Sequence, residues 1–409
     1  MRTPWFVFIE SNTSGTGRLF AGEAARQGLR PILLTDDPGR YNYVEVDRLD
    51  VLRVDTSNEA ALLAACKKLA SEADLAGVTS SSEYFILSAA KLAQKLGLPG
   101  PAPETIKRCR DKEFQRRCLH EAGVGIPDFA AASYVKQALA AAKRLGFPVV
   151  VKPVAGTGSA GVRLCADEKE VAVHSRALLS QRKNERGMPS RRRILIEELA
   201  NGPEYSIETF GVKVIGITQK HLGPHPHFVE VGHDYPAPVS AAAQRIITRE
   251  TTRAAQALEL SWGPAHFELR LTSRGPKIIE ANPRLAGGHI PQLVRMATGV
   301  DLIAETIRLT RGERPRLKGT RQEHASIRFI LPPRDGLLMK WKGQKRASGV
   351  SGVAEVQSYA KLGTAVSVRG DFRDRIGHVI ATGSSAADAR ATADLAGSLV
   401  QPIVATKGT

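Results

Sequence analysis

Phe147-Pro-Val-Val-Val-Lys-Pro-Val-Ala-Gly-Thr-Gly-Ser-Ala-Gly-Val-Arg-Leu164 constrains this chain more than any other stretch. Val149 to Val151 form an apolar, β-branched run that reads as a buried strand, ended by Lys152. Gly156, Gly158 and Gly161 follow within six residues, mixed with Thr157 and Ser159, and a second apolar run, Val162 to Cys165, returns. Strand, glycine loop, strand makes a flap rather than a turn. Glycine lets backbone approach a ligand closely and take positive φ. The bare N–H groups of such a loop converge readily on an anion, and Lys152 adds a point charge beside the same anion. The pattern is not a P-loop, because no G-x-x-x-x-G-K-[ST] occurs in the chain.

The N-terminal part reads as an α/β unit. Trp5 to Glu10 is a strand and Arg18 to Leu29 a helix, with Leu19, Phe20, Ala24 and Ala25 inward. Pro31 to Thr35 is the next strand. This opening tempts toward a dinucleotide fold, but Phe20 stands where the third fingerprint glycine belongs, so NAD is rejected. Asn58 to Ala73 is a helix capped by Ser57 or Asn58. Ser80-Ser-Ser-Glu83-Tyr84 lies at the C-terminal end of the strand Leu75 to Thr79, where open α/β sheets bind ligands. Ser82 equally suits the cap, and Glu83 the first turn, of the helix running to Leu96. Three prolines and two glycines between Leu96 and Pro103 mark a first boundary.

A helix over 104–122 carries Asp111-Lys112, and the flap sits in a compact α+β unit that follows. The polar segment 181–193 reads as a solvated loop. Ile194 to Leu199 is a strand ending in Glu197 and Glu198, Glu204 to Glu208 begins another, and Val212 to Gln219 is a third. Lys220 to His227 reads as a proline-broken loop, and 228–236 leads into a helix over 239–260. His221, His225, His227 and His233 lack the i, i+4 helical spacing of a zinc site.

The second informative region is Gly263 to Arg284. Phe267, Leu269 and Leu271 alternate with His266, Glu268 and Arg270, which gives a half-buried strand. Ile278, Glu280 and Asn282 share a face of the return strand. Ser273-Arg274-Gly275 fits a three-residue hairpin loop with glycine at the left-handed position. That register centres on Arg274 and sets Glu268 opposite Glu280, with Pro276 leaving it open by one residue. Facing carboxylates repel across a ladder, and a cation between them removes the repulsion. Mg²⁺ takes one or two protein carboxylates and fills its other sites with phosphate oxygens and water. Asn282 adds a neutral oxygen on that face, and Arg284 a planar donor fork for a phosphoryl group or carboxylate.

These elements, in this order and spacing, resemble the ATP-grasp superfamily over roughly residues 100–310 and more loosely at the flanks. The resemblance implies a mixed α/β and α+β architecture, the ATP-grasp fold. Residues 1–103 would form an open parallel α/β domain. Residues 104–315 would form the ATP-binding domain, with a lid at about 125–196 and a core holding the hairpin 263–284. Residues 316–409 would form a small C-terminal α+β domain packing behind the ATP site. The implied cofactors are ATP and Mg²⁺, with Mn²⁺ as the alternative ion. By resemblance, Lys112 and Lys152 hold ATP phosphates beneath the flap residues Gly156, Gly158, Ser159 and Gly161. Glu197, Glu198 and Leu199 match the strand that meets adenine, Glu204 the ribose carboxylate, and Glu268, Glu280 and Asn282 the magnesium set in a pattern ending at Arg284.

Within the superfamily the chain looks most like the L-amino acid ligases, on Ser81-Ser-Glu83-Tyr84 with Leu96-Gly-Leu-Pro-Gly100, on Phe228 to Pro236, and on Asp374 to Ile380. That likeness implies two steps: a substrate carboxylate attacks the γ-phosphate of ATP, then an amine displaces phosphate from the acyl phosphate. Lys152 and Arg284 would take developing charge, and Glu230 or His233 would bind the amine or accept its proton. Glu83, Arg284, Gly287, Gly288 and His289 complete the substrate set, the glycines leaving space beside Arg284 for a large acyl side chain. The rivals are a bicarbonate-using carboxylase of the same superfamily and a non-catalytic nucleotide-binding protein.

Composition bounds the rest. A net charge of +17, from 58 Lys+Arg against 41 Asp+Glu, attracts polyanions, but 5% aromatics and no nucleic-acid module argue against specific nucleic-acid binding. No apolar run approaches the ~18 residues of a membrane span, the first ten residues do not read as a signal peptide, and four cysteines show no C-x-x-C. The expectation is a cytoplasmic protein with amino acids as small-molecule partners, no membrane contact, and a homodimer as a candidate assembly.

Overall fold

The computed structural model describes residues 2–13, 16–156, 158–184, 187 and 189–406. An N-terminal parallel sheet contains β1 (Trp5–Ile9), β2 (Arg30–Thr35), β3 (Asp50–Arg53) and β4 (Leu75–Thr79) in the order β3-β2-β1-β4. All five β1 side chains are buried, as a parallel strand covered on both faces requires. Phe6 and Phe8 pack toward Leu293, Val294 and Ile307, while Trp5, Val7 and Ile9 pack toward Leu62, Cys66 and Leu92.

The flap belongs to a second, antiparallel sheet of β5 (Phe129–Ala132), β6 (Val149–Pro153), β7 (Arg163–Cys165) and β8 (Ile194–Glu198), ordered β5-β8-β6-β7. Helices Val135–Leu145 and Glu168–Ser180 cover it through Ala138, Ala142, Val171 and Leu178.

The third sheet has eight strands. It holds β9 (Glu204–Phe210), β10 (Lys213–Leu222), β11 (Glu230–Tyr235), β12 (Pro264–Thr272), β13 (Gly275–Asn282), β14 (His324–Ile330), β16 (Val353–Ser358) and β18 (Gly377–Gly383), ordered β13-β12-β9-β10-β11-β14-β18-β16. Helix Ala241–Ala257 lies against Phe267, Leu269 and Ile278 on one face, leaving the other face for a cleft. A last small sheet joins β15 (Gly336–Lys342), β17 (Ala365–Val366) and β19 (Gln401–Ala405). The mixed α/β class with a small C-terminal α+β part agrees with expectation. The C-terminal strands do more than pack behind the site, though: β14, β18 and β16 continue the central sheet beyond β11, and Phe329 of β14 with Gln357 and Ser358 of β16 line the cleft.

Several local expectations need correction. The first helix spans Thr16–Arg26 and buries Phe20, Ala21, Glu23 and Ala24, whereas Leu19 and Ala25 face outward. The helix expected over 104–122 is two helices, Pro103–Arg110 and Lys112–Glu121. Asp111 between them is extended, and its carboxylate accepts from the N–H groups of Glu113 and Phe114, a cap that starts a new helix axis. Phe85 rather than Ser82 is the N-cap of the helix Ile86–Lys95; the Ser82 carbonyl accepts from the N–H groups of Phe85 and Ile86, and Glu83 stands outside that helix. Lys220, His221 and Leu222 belong to β10 rather than to a loop.

Candidate active site

The β12–β13 hairpin sets Glu268 opposite Glu280, as the alternation requires, but by a different route. Thr272 pairs with Gly275, so the turn is the two residues Ser273-Arg274, one shorter than expected. Ile279 is then an extra residue in β13, and this bulge restores the Glu268–Glu280 pairing. The bulge also turns Ile278 into the core, away from the face of Glu280 and Asn282. Its carbonyl is not stranded, because the fully buried Arg116 donates Nη2–H to Ile279.

Glu268, Glu280 and Asn282 line one cleft of about 850 Å³, together with Lys112, Lys152 and Arg284. The carboxylates are spread over cations. Lys112 Nζ lies 2.9 Å from Glu280 and donates to the Gly156 carbonyl at 3.0 Å, so it touches hairpin and flap together. Lys152 Nζ lies 2.6 Å from Glu197, whose other oxygen accepts from Arg116 Nε at 2.8 Å. Burial lowers the Lys152 pKa, only partly offset by Glu197. For Lys112, burial is outweighed by Glu280 and Glu83, and the pKa rises.

Lys220 is the principal residue that sequence reasoning missed. Its buried ammonium lies 2.9 Å from Glu204, 2.7 Å from Glu230 and 3.0 Å from Glu268. Burial disfavours its charge, but the three carboxylates raise its pKa well above the ordinary value. The available signal was the alternation of Thr218 and Lys220 along a strand continued past Gln219. His266 is a second such residue. It bonds Glu208 at 2.7 Å and lies 3.5 Å from Glu268, and these carboxylates overcome its burial to push the pKa up to about 9.

Around Arg284 the chain gathers distant elements. Glu83, from the end of β4, accepts from Arg284 Nη2 at 2.5 Å, which gives that carboxylate a partner in the cleft. Glu230 takes Arg375 Nη1 at 3.0 Å and lies 3.4 Å from His233 Nε2. Burial lowers the His233 pKa. Its Nδ1–H donates to the Gly288 carbonyl at 3.0 Å, and its Nε2 faces the Glu230 carboxylate. Among the expected site residues, His233 sits behind the cleft wall and Gly161 outside its lining, the latter accepting from His174 through its carbonyl. Glu198, Leu199, Glu204, Gly158, Ser159 and His289 line the cleft.

The two glycines after Arg284 are not equivalent, which corrects the expectation that both leave space. A Cβ on Gly287 meets nothing within 4 Å, whereas one on Gly288, at φ +59°, would lie 2.6 Å from His233 Cε1. His289 is left-handed at φ 61° and lies parallel to Tyr359, with the ring centroids 6.3 Å apart.

Residues 145–292 match the ATP-grasp domain family, 20–100 the ATP-grasp N-terminal domain and 328–405 the L-amino acid ligase C-terminal domain 2. This chain belongs to the ATP-grasp superfamily. The uncharacterized protein y4rH of Sinorhizobium fredii is 40% identical over 383 residues, 94% of this chain and 79% of that one. Carnosine synthase 1 of Gallus gallus is 27% identical over 81% of this chain, a match spanning only 39% of its own length. The crystal structure of L-amino acid ligase from Bacillus licheniformis shares the fold, with a TM-score of 0.82 at 23% identity, covering 99% of this chain and 100% of that one.

ATP-grasp enzymes use ATP with divalent cations, and the hairpin of this ATP-grasp chain suits such an ion. Glu268, Glu280 and Asn282 offer hard oxygen donors on one cleft wall, the ligand type that Mg²⁺ takes alongside phosphate and water. Among the described residues, no group of three or more His, Cys, Asp or Glu side chains forms an all-protein metal cage. No helix of those residues is long and apolar enough to cross a membrane.

Proposed function

We propose that this ATP-grasp chain is an ADP-forming carboxylate–amine ligase that joins two amino acids, or an amino acid and another carboxylate, through an acyl phosphate. The observation that carries the reading is one cleft uniting the flap-covered Lys112–Glu280 pair with Arg284 and with Glu230, which is backed by His233. The matched L-amino acid ligase C-terminal domain supplies Arg375 to Glu230 and so favours an amine as second substrate.

In this reading Lys112 and Lys152 hold the phosphates, the main chain at Glu198 and Leu199 meets adenine, and Glu204 takes the ribose. Glu268, Glu280 and Asn282 would hold Mg²⁺, or Mn²⁺ in its place, which neutralises charge on phosphate oxygens when bound. The substrate carboxylate attacks the γ-phosphorus, and Lys152 and Arg284 stabilise the charge that develops. Glu230 binds the amine, and His233 behind it takes up the proton as nitrogen attacks the acyl carbon. The flap keeps water from the acyl phosphate.

Phosphate release from ATP is measured against amino acids singly and in pairs. Release that needs a pair is expected. Release with bicarbonate alone indicates a carboxylase, and none with any panel member indicates a nucleotide-binding protein without chemistry.

Gly287 faces open space, so Gly287→Trp should lower kcat/KM for bulky acyl substrates by roughly tenfold or more while sparing alanine-sized ones. Gly288→Trp, which collides with His233, should lower both. Equal losses in Gly287→Trp would place the acyl side chain elsewhere.

A further inference from the structure

The glycine flap rests on a short piece of chain that has no role in the scheme above. The Gly158 carbonyl accepts from the Phe372 N–H at 3.3 Å, and a Cβ on Gly158 would lie 2.3 Å from Cδ1 of the Phe372 ring. Gly158 also has φ +62°, so glycine is required there for space as well as for backbone conformation. The returning strand β7 is tied down nearby, its Leu164 N–H donating to the Pro226 carbonyl at 2.9 Å.

Phe372 is half-buried and opens one 3₁₀ turn, Phe372–Asp374. That turn is stiff. The buried Asp374 carboxylate accepts from the N–H groups of Arg369 at 2.8 Å and Gly370 at 2.7 Å, and Asp371 caps the Arg373 N–H at 2.9 Å. Its far end is Arg375, whose N–H and Nε–H donate to the Phe372 carbonyl at 3.2 and 3.3 Å. The Arg375 guanidinium then lies 4.5 Å over the Phe329 ring and reaches Glu230 at 3.0 Å. One rigid turn thus touches the flap at one end and Glu230 at the other.

We infer that Phe372 is a positioning residue that latches the glycine flap closed and, through Arg375, ties that closure to the alignment of Glu230. The inference rests on the ligase reading, because there an open flap has a chemical cost. With the flap closed, the amine nitrogen attacks the acyl carbon, the C–O bond to phosphate breaks, and the nitrogen gives up its proton to leave amide and phosphate. With the flap ajar, a water oxygen attacks the same carbon, the same bond breaks, and free carboxylate, phosphate and a proton result. ATP is consumed on both routes. Phe372 therefore governs how much phosphate is released per amide formed.

The full chain is assayed with Mg²⁺, ATP and its amino-acid pair. Phe372→Ala removes an apolar contact whose loss shifts a closed-to-open balance by roughly tenfold, so phosphate released per amide should rise by about that factor. Turnover of ATP should change far less, and Phe372→Tyr, which keeps the ring, should restore the ratio. Gly158→Ala attacks the same contact from the flap and should raise the ratio likewise, with the double variant no worse than either single one. Phe372→Leu carries the test if the alanine variant does not fold. A second readout needs no product: trypsin cleavage after Arg163, in the presence of Mg²⁺ and a non-hydrolysable ATP analogue, should quicken in both single variants. An unchanged ratio with unchanged protection overturns the latch. If no pair of substrates yields an amide but cleavage still quickens, the ligase reading fails and the latch stands.

Discussion

Lys220→Met is expected to lower the free energy of unfolding by about 3–5 kcal/mol. The substitution keeps the volume of the stem and removes the one charge that Glu204, Glu230 and Glu268 share within 3.0 Å. Glu204 retains Arg270, Glu230 retains Arg375, and Glu268 retains His266, so the cluster is weakened rather than emptied. Urea unfolding at pH 7 measures the change, and a loss below about 1 kcal/mol would mean that solvent already screens the cluster. The pH dependence has a definite sign. Burial works against the charged forms of Glu230 and Glu268, but Lys220 overcomes it and holds both pKa values below the ordinary carboxylate range in the fold. Their contribution is full above the unfolded carboxylate pKa of about 4.3 and is lost as pH falls below it toward the folded values. That acid-side loss should be shallower in Lys220→Met.

Arg284→Ala should lower kcat by about 10²–10³-fold, the size expected when a preorganised donor to developing charge is removed. Its guanidinium is largely buried in the cleft, and its ordinary partner is Glu83. Part of any loss could come from stranding the Glu83 carboxylate, so the variant needs its companion, Arg284→Ala with Glu83→Gln. The double variant should recover melting temperature but not turnover. Recovered turnover would show that Arg284 serves only to neutralise Glu83, and the role assigned to it in phosphoryl transfer would be withdrawn.

The flap and the hairpin were both legible in the chain, for a local reason. Side-chain alternation in β12 reports which face is wet, and three glycines between two apolar runs report backbone that must come close to something. The pairing of Glu268 with Glu280 was legible too, although the turn and the bulge each differ by one residue from the simplest register and cancel. Such a bulge carries no local signature. It is held by Arg116, which reaches Ile279 across 163 positions of chain.

The charge network was mostly hidden. Glu83 suited the first turn of a helix by its neighbours, yet it meets Arg284, 201 residues away. Lys220 looked like the start of a loop because prolines follow it, yet β9 and β11 on either side extend its strand. Gly287 and Gly288 are indistinguishable as letters, and the His233 ring with the Arg375 guanidinium separates the filled one from the open one.

The sequence by itself determined the strands that carry the flap and the hairpin, where the backbone must be bare, and which acidic side chains share a wet face, because periodicity and glycine act over a few residues. Only the tertiary structure decided which cation answers each carboxylate and what the flap rests on. Those choices depend on burial and on charges brought together from far apart, and electrostatic energy in a low-dielectric cleft is set by distance in space rather than distance along the chain.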